Sequence, residues 1–216
     1  DDLPQPAGNR QQRVEVDAQV RERQASLEHV GDMLSFLSGG GDAARRMAAA
    51  GTFVTPMLST DYSGQPPAAT WRELLAQERR AVGDLLGAGV PLLAGTDSAL
   101  PAMRPGESLG LELRSLAAAG LTPFQVLQAA TRNAGAFVQA RIANPGAPFG
   151  VIEAGARADL LLLDANPLED PQRSLSPRAV VANGRLFETS ELDRWRRTRQ
   201  QGAPCFYLLT PVRRLV

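Results

Sequence analysis

The chain has 216 residues, 44% of them hydrophobic, and 23 Lys and Arg balance 23 Asp and Glu to a formal net charge of +0. That is enough apolar material for one large domain or one and a half small ones, and no charge excess points to nucleic acid or an acidic membrane. The single cysteine, Cys205, excludes an intrachain disulfide framework, and the single histidine, His29, excludes a site of several imidazoles built from this chain alone.

Residues 1–12 are rich in Pro, Gly, Asn and Gln and read as loop. Residues 1–20 lack the apolar core of a signal peptide, and no stretch approaches the ~20 apolar residues of a membrane span. The first residue is Asp1, which suggests a cut or processed beginning, so the compartment stays unknown. Val14 to Gln24 carry a loose helical period, and Ala25 to Val30 read as a short strand ending at His29. Gly39, Gly40 and Gly41 break the chain before a helix capped by Asp42 and ended by Gly51. Thr52 to Thr55 form a strand stopped by Pro56, and 61–69 are loop. Thr70 with Glu73 has the spacing of a capping box, opening a helix that ends near Gly87 or Gly89.

Val90 to Ala94 then read as a buried strand, with Gly95 turning the chain and Asp97 just past the strand's carboxyl end. After the loop holding Pro101 and Pro105, helices are predicted from Glu107 to Ala119 and from Thr122-Pro123 to about Ala140, separated by Gly120. The order strand, helix, strand, helix, strand, helix predicts a parallel sheet with helices outside. Beyond Asn144 the elements shorten. Phe149 to Ile152 and Ala158 to Leu163 read as strands around a turn at Glu153-Ala154-Gly155, and Asn183-Gly184 marks a hairpin. A charged helix over 188–200, anchored by Leu192 and Trp195, precedes an apolar end at Phe206 to Leu209.

Ligands and metals bind at the carboxyl ends of parallel strands, which makes Asp97 a candidate for holding a metal or moving a proton. The same carboxylate would also serve as a helix cap or loop holder. His29, between Glu28 and Val30, is either a metal ligand or a satisfied structural residue. Glu28 faces away from His29 if this segment is a strand. Asp159 and Asp164 bracket an apolar run and read as structural. Arg132 and Asn133 are expected to make backbone or packing contacts, and the Arg194 to Arg199 run is a solvated helix face.

Four segments resemble the metal-dependent amidohydrolases of the imidazolonepropionase-like and prolidase-like group. Ser26-Leu27-Glu28-His29 resembles the strand-6 motif, Gly51 to Leu58 strand 7, and Gly89 to Ser98 strand 8 with its aspartate. The tail, from Ala119-Gly120-Leu121-Thr122-Pro123 through Ala130-Thr131-Arg132-Asn133 and Phe149 to Leu168, is the most specific part. The resemblance covers roughly residues 14 to 200. Two positions depart from it: Gly110 follows Ser-Leu where relatives often carry histidine, and Met57 replaces a common threonine; both bear on the substrate pocket.

The resemblance implies an α/β fold, the carboxyl-terminal part of a TIM-like (β/α)8 barrel (strands 6 to 8) with part of a small β-sandwich. Its divisions would be a partial barrel over 1–143, a sandwich part over 144–187, and a terminal helix and tail over 188–216. It implies His29 and Asp97 as metal ligands, Asp97 as the catalytic residue, and one or two divalent ions, zinc foremost, in the complete protein. The function implied is hydrolysis of amide or peptide C–N bonds through a metal-activated water, on a small-molecule substrate. The early His-x-His pair, the strand-4 lysine and the strand-5 histidine are lacking, so an amino-terminal half or second chain is expected to supply them. The chain alone is expected to be inactive, with open sheet edges that invite association. The alternative is a non-catalytic or truncated barrel chain that binds a partner.

Overall fold

The computed structural model of the chain describes residues 26–37, 42–58, 69–98 and 108–200. The expected helix over Val14–Gln24, the glycine break at 39–41, the loops over 61–68 and around Pro101 and Pro105, and the 201–216 tail with Cys205 lie outside them. The first unit is built of β1 (Ser26–Glu28), α1 (Val30–Leu37), α2 (Asp42–Ala50), β2 (Phe53–Thr55), α3 (Ala69–Gly87), α4 (Ser108–Ala118), α5 (Pro123–Ala130) and α6 (Arg132–Arg141). β1 and β2 pair in parallel with Leu27 opposite Val54, as the βα alternation predicts.

The segment read as a third strand is reduced to a single parallel bridge between Val54 and Leu92. The Val54 N–H donates to the Pro91 carbonyl (3.1 Å) and the Leu93 N–H to the Val54 carbonyl (2.8 Å). Pro91 has no N–H to extend a ladder, which limits its length.

Three helices stop in the same way. After α2, Gly51 takes φ +67; its N–H reaches the Ala48 carbonyl, and the Thr52 N–H reaches that of Met47. Gly89 after α3 and Gly120 after α4 repeat this pair of bonds, with φ +82 and +104. These are Schellman ends, and each places a buried residue (Thr52, Val90, Leu121) over a buried one three to four positions inside the helix. Each stop therefore also aims the chain back into the core, where Val54, Met47, Val82, Leu85, Leu116 and Val126 are fully buried.

Two helix starts differ from the sequence reading. Asp42 is the first residue of α2, and Thr70 lies inside α3, which begins at Ala69, so neither stands outside its helix as a cap. The Thr122 start forms as predicted: its hydroxyl accepts from the Gln125 N–H, and the Gln125 side chain accepts from the Thr122 N–H (2.9 Å). The helix expected to run unbroken to Ala140 divides at Thr131, whose φ −131 and ψ −86 are not helical. The segment around Phe149 explains the division. A Cβ on Gly150 would lie 2.3 Å from the Thr131 carbonyl oxygen, and one on Gly135 would lie 2.0 Å from that of Phe149. Backbone thus packs on backbone there, and Phe149 to Ile152 crosses as loop, not as the predicted strand.

The second unit is a three-stranded antiparallel sheet in the order β3 (Leu160–Leu162), β4 (Ala179–Ala182), β5 (Arg185–Glu188), followed by α7 (Thr189–Gln200). Ala182 pairs with Arg185, leaving Asn183 (φ 48) and Gly184 (φ 80) as the two-residue loop that Asn-Gly predicts. Phe187 packs on Trp195 of α7 with ring centroids 5.3 Å apart. A short 3-10 turn, Pro171–Leu175, joins the two units: the Gln172 side chain donates to the Gly110 carbonyl (2.9 Å), and a Cβ on Gly110 would meet Leu175 at 2.6 Å. No helix among the described residues is long and apolar enough to cross a membrane.

Asp159 is structural, as expected. It accepts from the Asn183 N–H (2.7 Å) and pairs with Arg157, and these bonds hold its pKa below the ordinary carboxylate value. A depressed aspartate contributes stability that is present above its unfolded pKa and lost as pH falls through its folded pKa. The stability difference between the chain and Asp159→Asn, read by urea unfolding, is therefore expected to be full at neutral pH. It should shrink as pH is lowered from the ordinary aspartate value, ~4. A difference that stays constant with pH would rule out this linkage.

Candidate active site

The parallel segments end side by side, and their carboxyl ends carry His29, Met57 and Asp97. All three residues lie in the left-handed region, at φ 58, 56 and 42. This conformation is uncommon for residues other than glycine and persists where the surroundings over-determine it, often at functional sites. At His29 the determinants are visible. Its N–H donates to the Thr55 carbonyl and the Val30 N–H to that of Pro56, both at 3.1 Å, so the end of β2 templates the turn from β1 into α1. The buried Glu78 of α3 comes against the first turn of α1: a Cβ on Gly31 would lie 2.6 Å from its Oε1. An anion is favoured at a helix amino end.

At Asp97 the sequence reading of Gly95 needs correcting. Gly95 does not turn the chain through a positive φ; Asp97 does. Gly95 serves close approach instead, because a Cβ there would sit 2.4 Å from Thr55 Cγ2. Its lack of a side chain lets the Asp97 turn lie against the end of β2. Met57 is on the same spot, its Cε 3.8 Å from that Cβ position. No sequence signal marked Met57 as left-handed.

The result is that two residues 68 positions apart in sequence meet: His29 Nε2 lies 3.7 Å from Asp97 Oδ2. Both side chains are partly open to solvent, at 40% and 48%. Glu28 is exposed. Two donors ~2.0–2.2 Å from one tetrahedral ion lie ~3.4 Å apart, close to the observed separation, and imidazole with carboxylate is a common donor set for divalent ions. Among the described residues no group of three or more His, Cys, Asp and Glu gathers. Two donors are fewer than the ~3 protein ligands and open position that a catalytic metal site takes.

A groove of about 520 Å³ lies elsewhere, lined by Phe124, Thr131, Arg132, Ile152 and Glu153 among others, and includes neither His29 nor Asp97.

Residues 17–187 match the amidohydrolase family. Over 134 residues the chain is 34% identical to the ochratoxinase of Aspergillus niger, a stretch that is 58% of this chain and 26% of that protein. The crystal structure of A. niger ochratoxinase superposes with a TM-score of 0.62 at 26% identity, covering 80% of this chain and 39% of that one. A prolidase complexed with N-methylphosphonate-L-proline superposes with a TM-score of 0.56 at 25% identity, covering 82% and 49%. The chain spans about half the length of these solved structures or less, and about a quarter of the curated relative.

Proposed function

The chain belongs to the amidohydrolase family, and on that premise we propose that it forms part of a metal-dependent hydrolase cleaving amide or peptide C–N bonds. The approach of His29 to Asp97 at the ends of parallel segments carries this reading. β1, β2 and the Pro91–Ala94 segment are taken as barrel strands 6, 7 and 8, and β3 to β5 as part of the small sandwich. The corresponding divisions are 1–143, 144–187 and 188–216. The relatives, an ochratoxinase and a prolidase, favour a small amide or dipeptide-like substrate.

His29 and Asp97 would hold a divalent ion, zinc being the first choice for an imidazole and carboxylate set. Such an ion supplies Lewis acidity to the amide carbonyl and lowers the pKa of water. His29 would contribute a ring nitrogen, its backbone fixed by the Thr55 and Pro56 carbonyls. The Asp97 carboxylate takes the proton of the attacking water and delivers it to the departing amine nitrogen, the general base then acting as general acid. The remaining donors come from an amino-terminal half or a second chain.

A second reading, a non-catalytic barrel chain that binds a partner, is favoured by the single histidine and the two-donor set. Elemental analysis of metal-replete protein separates the two readings, performed on this chain and on a longer protein carrying it, with a panel of dipeptides and N-acyl amino acids. The hydrolase reading expects a stoichiometric divalent ion in the longer protein and amine release abolished by a chelator. Folded longer protein with neither metal nor hydrolysis would leave the partner-binding reading.

A further inference from the structure

The Pro91–Ala94 segment that delivers Asp97 touches β2 through one bridge. Its other edge, where a strand would sit in a continuous sheet, is occupied by a helix. The Ala94 N–H donates to the Ala129 carbonyl (3.1 Å), and Asn133 Nδ2 donates to the Leu92 carbonyl (2.9 Å). The expectation of an open edge on this side is thus corrected at Leu92 and Ala94. The division at Thr131 makes the contact possible. Ala129 lies in the last turn of α5 and Asn133 in the first turn of α6, and the break turns a main-chain acceptor and a side-chain donor onto one short stretch of backbone.

We infer that Asn133 is a positioning residue for Asp97. It holds the outer edge of the Leu92–Ala94 backbone, so that the turn three residues later presents its carboxylate to His29. Two features make the bond matter. The segment has little ladder of its own, and the Asp97 turn is left-handed, so it needs support from its surroundings. Ligand-orienting contacts one step removed from a metal typically change its affinity 10–100-fold. The inference about metal rests on the hydrolase reading above; the inference about the Asp97 segment does not.

The test compares Asn133→Leu, similar in size but without the donor, with Arg141→Met. Arg141 also ties α6 to the rest of the first unit, its Nη2 donating to the Gly51 carbonyl after α2 (2.8 Å). Asn133→Ser is read in place of Asn133→Leu if the latter does not fold. Hydrogen exchange of a peptide spanning 92–98 should quicken roughly 3–10-fold in the Asn133 variant and stay unchanged in Arg141→Met. Cobalt(II) binding to the longer protein carrying this chain, followed by its visible absorption, should weaken about 10-fold or more in the Asn133 variant alone. Unchanged exchange in the 92–98 peptide, or equal acceleration in both variants, overturns the inference. A parent protein that takes up no cobalt while the exchange difference persists would refute the metallohydrolase reading and leave Asn133's hold on the segment standing.

Discussion

Replacing Asp97 by asparagine is expected to lower kcat/KM for amide hydrolysis by about 10²–10⁴-fold, the range over which positioned acid–base groups contribute, with little change in thermal stability. Asparagine is the informative choice because of the backbone. Asp97 sits at φ 42, a region that asparagine tolerates better than most residues, whereas alanine would add a backbone penalty of ~1–2 kcal/mol. The side chain is 48% exposed, so the change leaves no buried cavity, and exposed substitutions of this kind usually stay within about ±0.5 kcal/mol. The amide keeps the carboxylate's shape and one oxygen but cannot accept the proton of the attacking water. The measurement is steady-state hydrolysis by the longer protein, with metal content determined on the same samples. Activity within a few-fold of the parent, at equal metal content, would remove Asp97 from the proton-transfer role and leave it at most a ligand. His29→Gln in the same assay separates ligation from proton transfer, since His29 is assigned no proton.

The strongest local signals were legible because their physics is local. Asn183-Gly184 dictates a two-residue hairpin loop whatever surrounds it, and Thr122-Pro123 followed by Gln125 closes its own capping box. Gly120 ends α4 as read. What escaped the sequence depends on partners distant along the chain. Thr70 with Glu73 has capping-box spacing, yet α3 already includes Thr70, because spacing alone does not say where the preceding chain runs. The break at Thr131 is set by Phe149 and Gly150 pressing on α5 and α6, and nothing in 122–140 announces it. At the site, the strand-end aspartate and the histidine were both identifiable by residue type and motif. Their approach to 3.7 Å was not, since it depends on the Thr55 and Pro56 carbonyls templating one turn and on Gly95 allowing the other. Gly110 packs on Leu175, 65 residues on along the chain, a contact that no local pattern around Ser108-Leu109 announces.

Gly135→Ala and Gly150→Ala are expected to destabilise the chain, against the usual sign for a helical glycine. Within a helix, Gly→Ala ordinarily gains up to ~1 kcal/mol from propensity and from a less floppy unfolded chain. Gly135 is inside α6, but its added methyl would stand 2.0 Å from the Phe149 carbonyl oxygen, a main-chain atom that cannot swing aside as a side-chain tip would. Gly150 adds a second difficulty, since its φ of +78 disfavours any Cβ and its nearest contacts are main-chain atoms of Thr131. Overpacking of this kind costs about 1–3 kcal/mol, which for a chain of this size lowers Tm by roughly 2–12 °C. Gly83, inside α3, provides the control. Its added Cβ would find nothing closer than the Ala119 carbonyl at 3.9 Å, so Gly83→Ala should keep or raise Tm. Opposite signs at Gly135 and Gly83 on thermal unfolding would establish that the 149–150 crossing, not helix propensity, governs the α5–α6 junction. The same sign at both would show that the loop yields. Gly135 and Gly150 press on the two sides of one contact, so the double variant should cost less than the sum of the single ones. Because that junction also presents Ala129 and Asn133 to the Asp97 segment, both destabilising variants should quicken exchange over 92–98 as well, while Gly83→Ala should not.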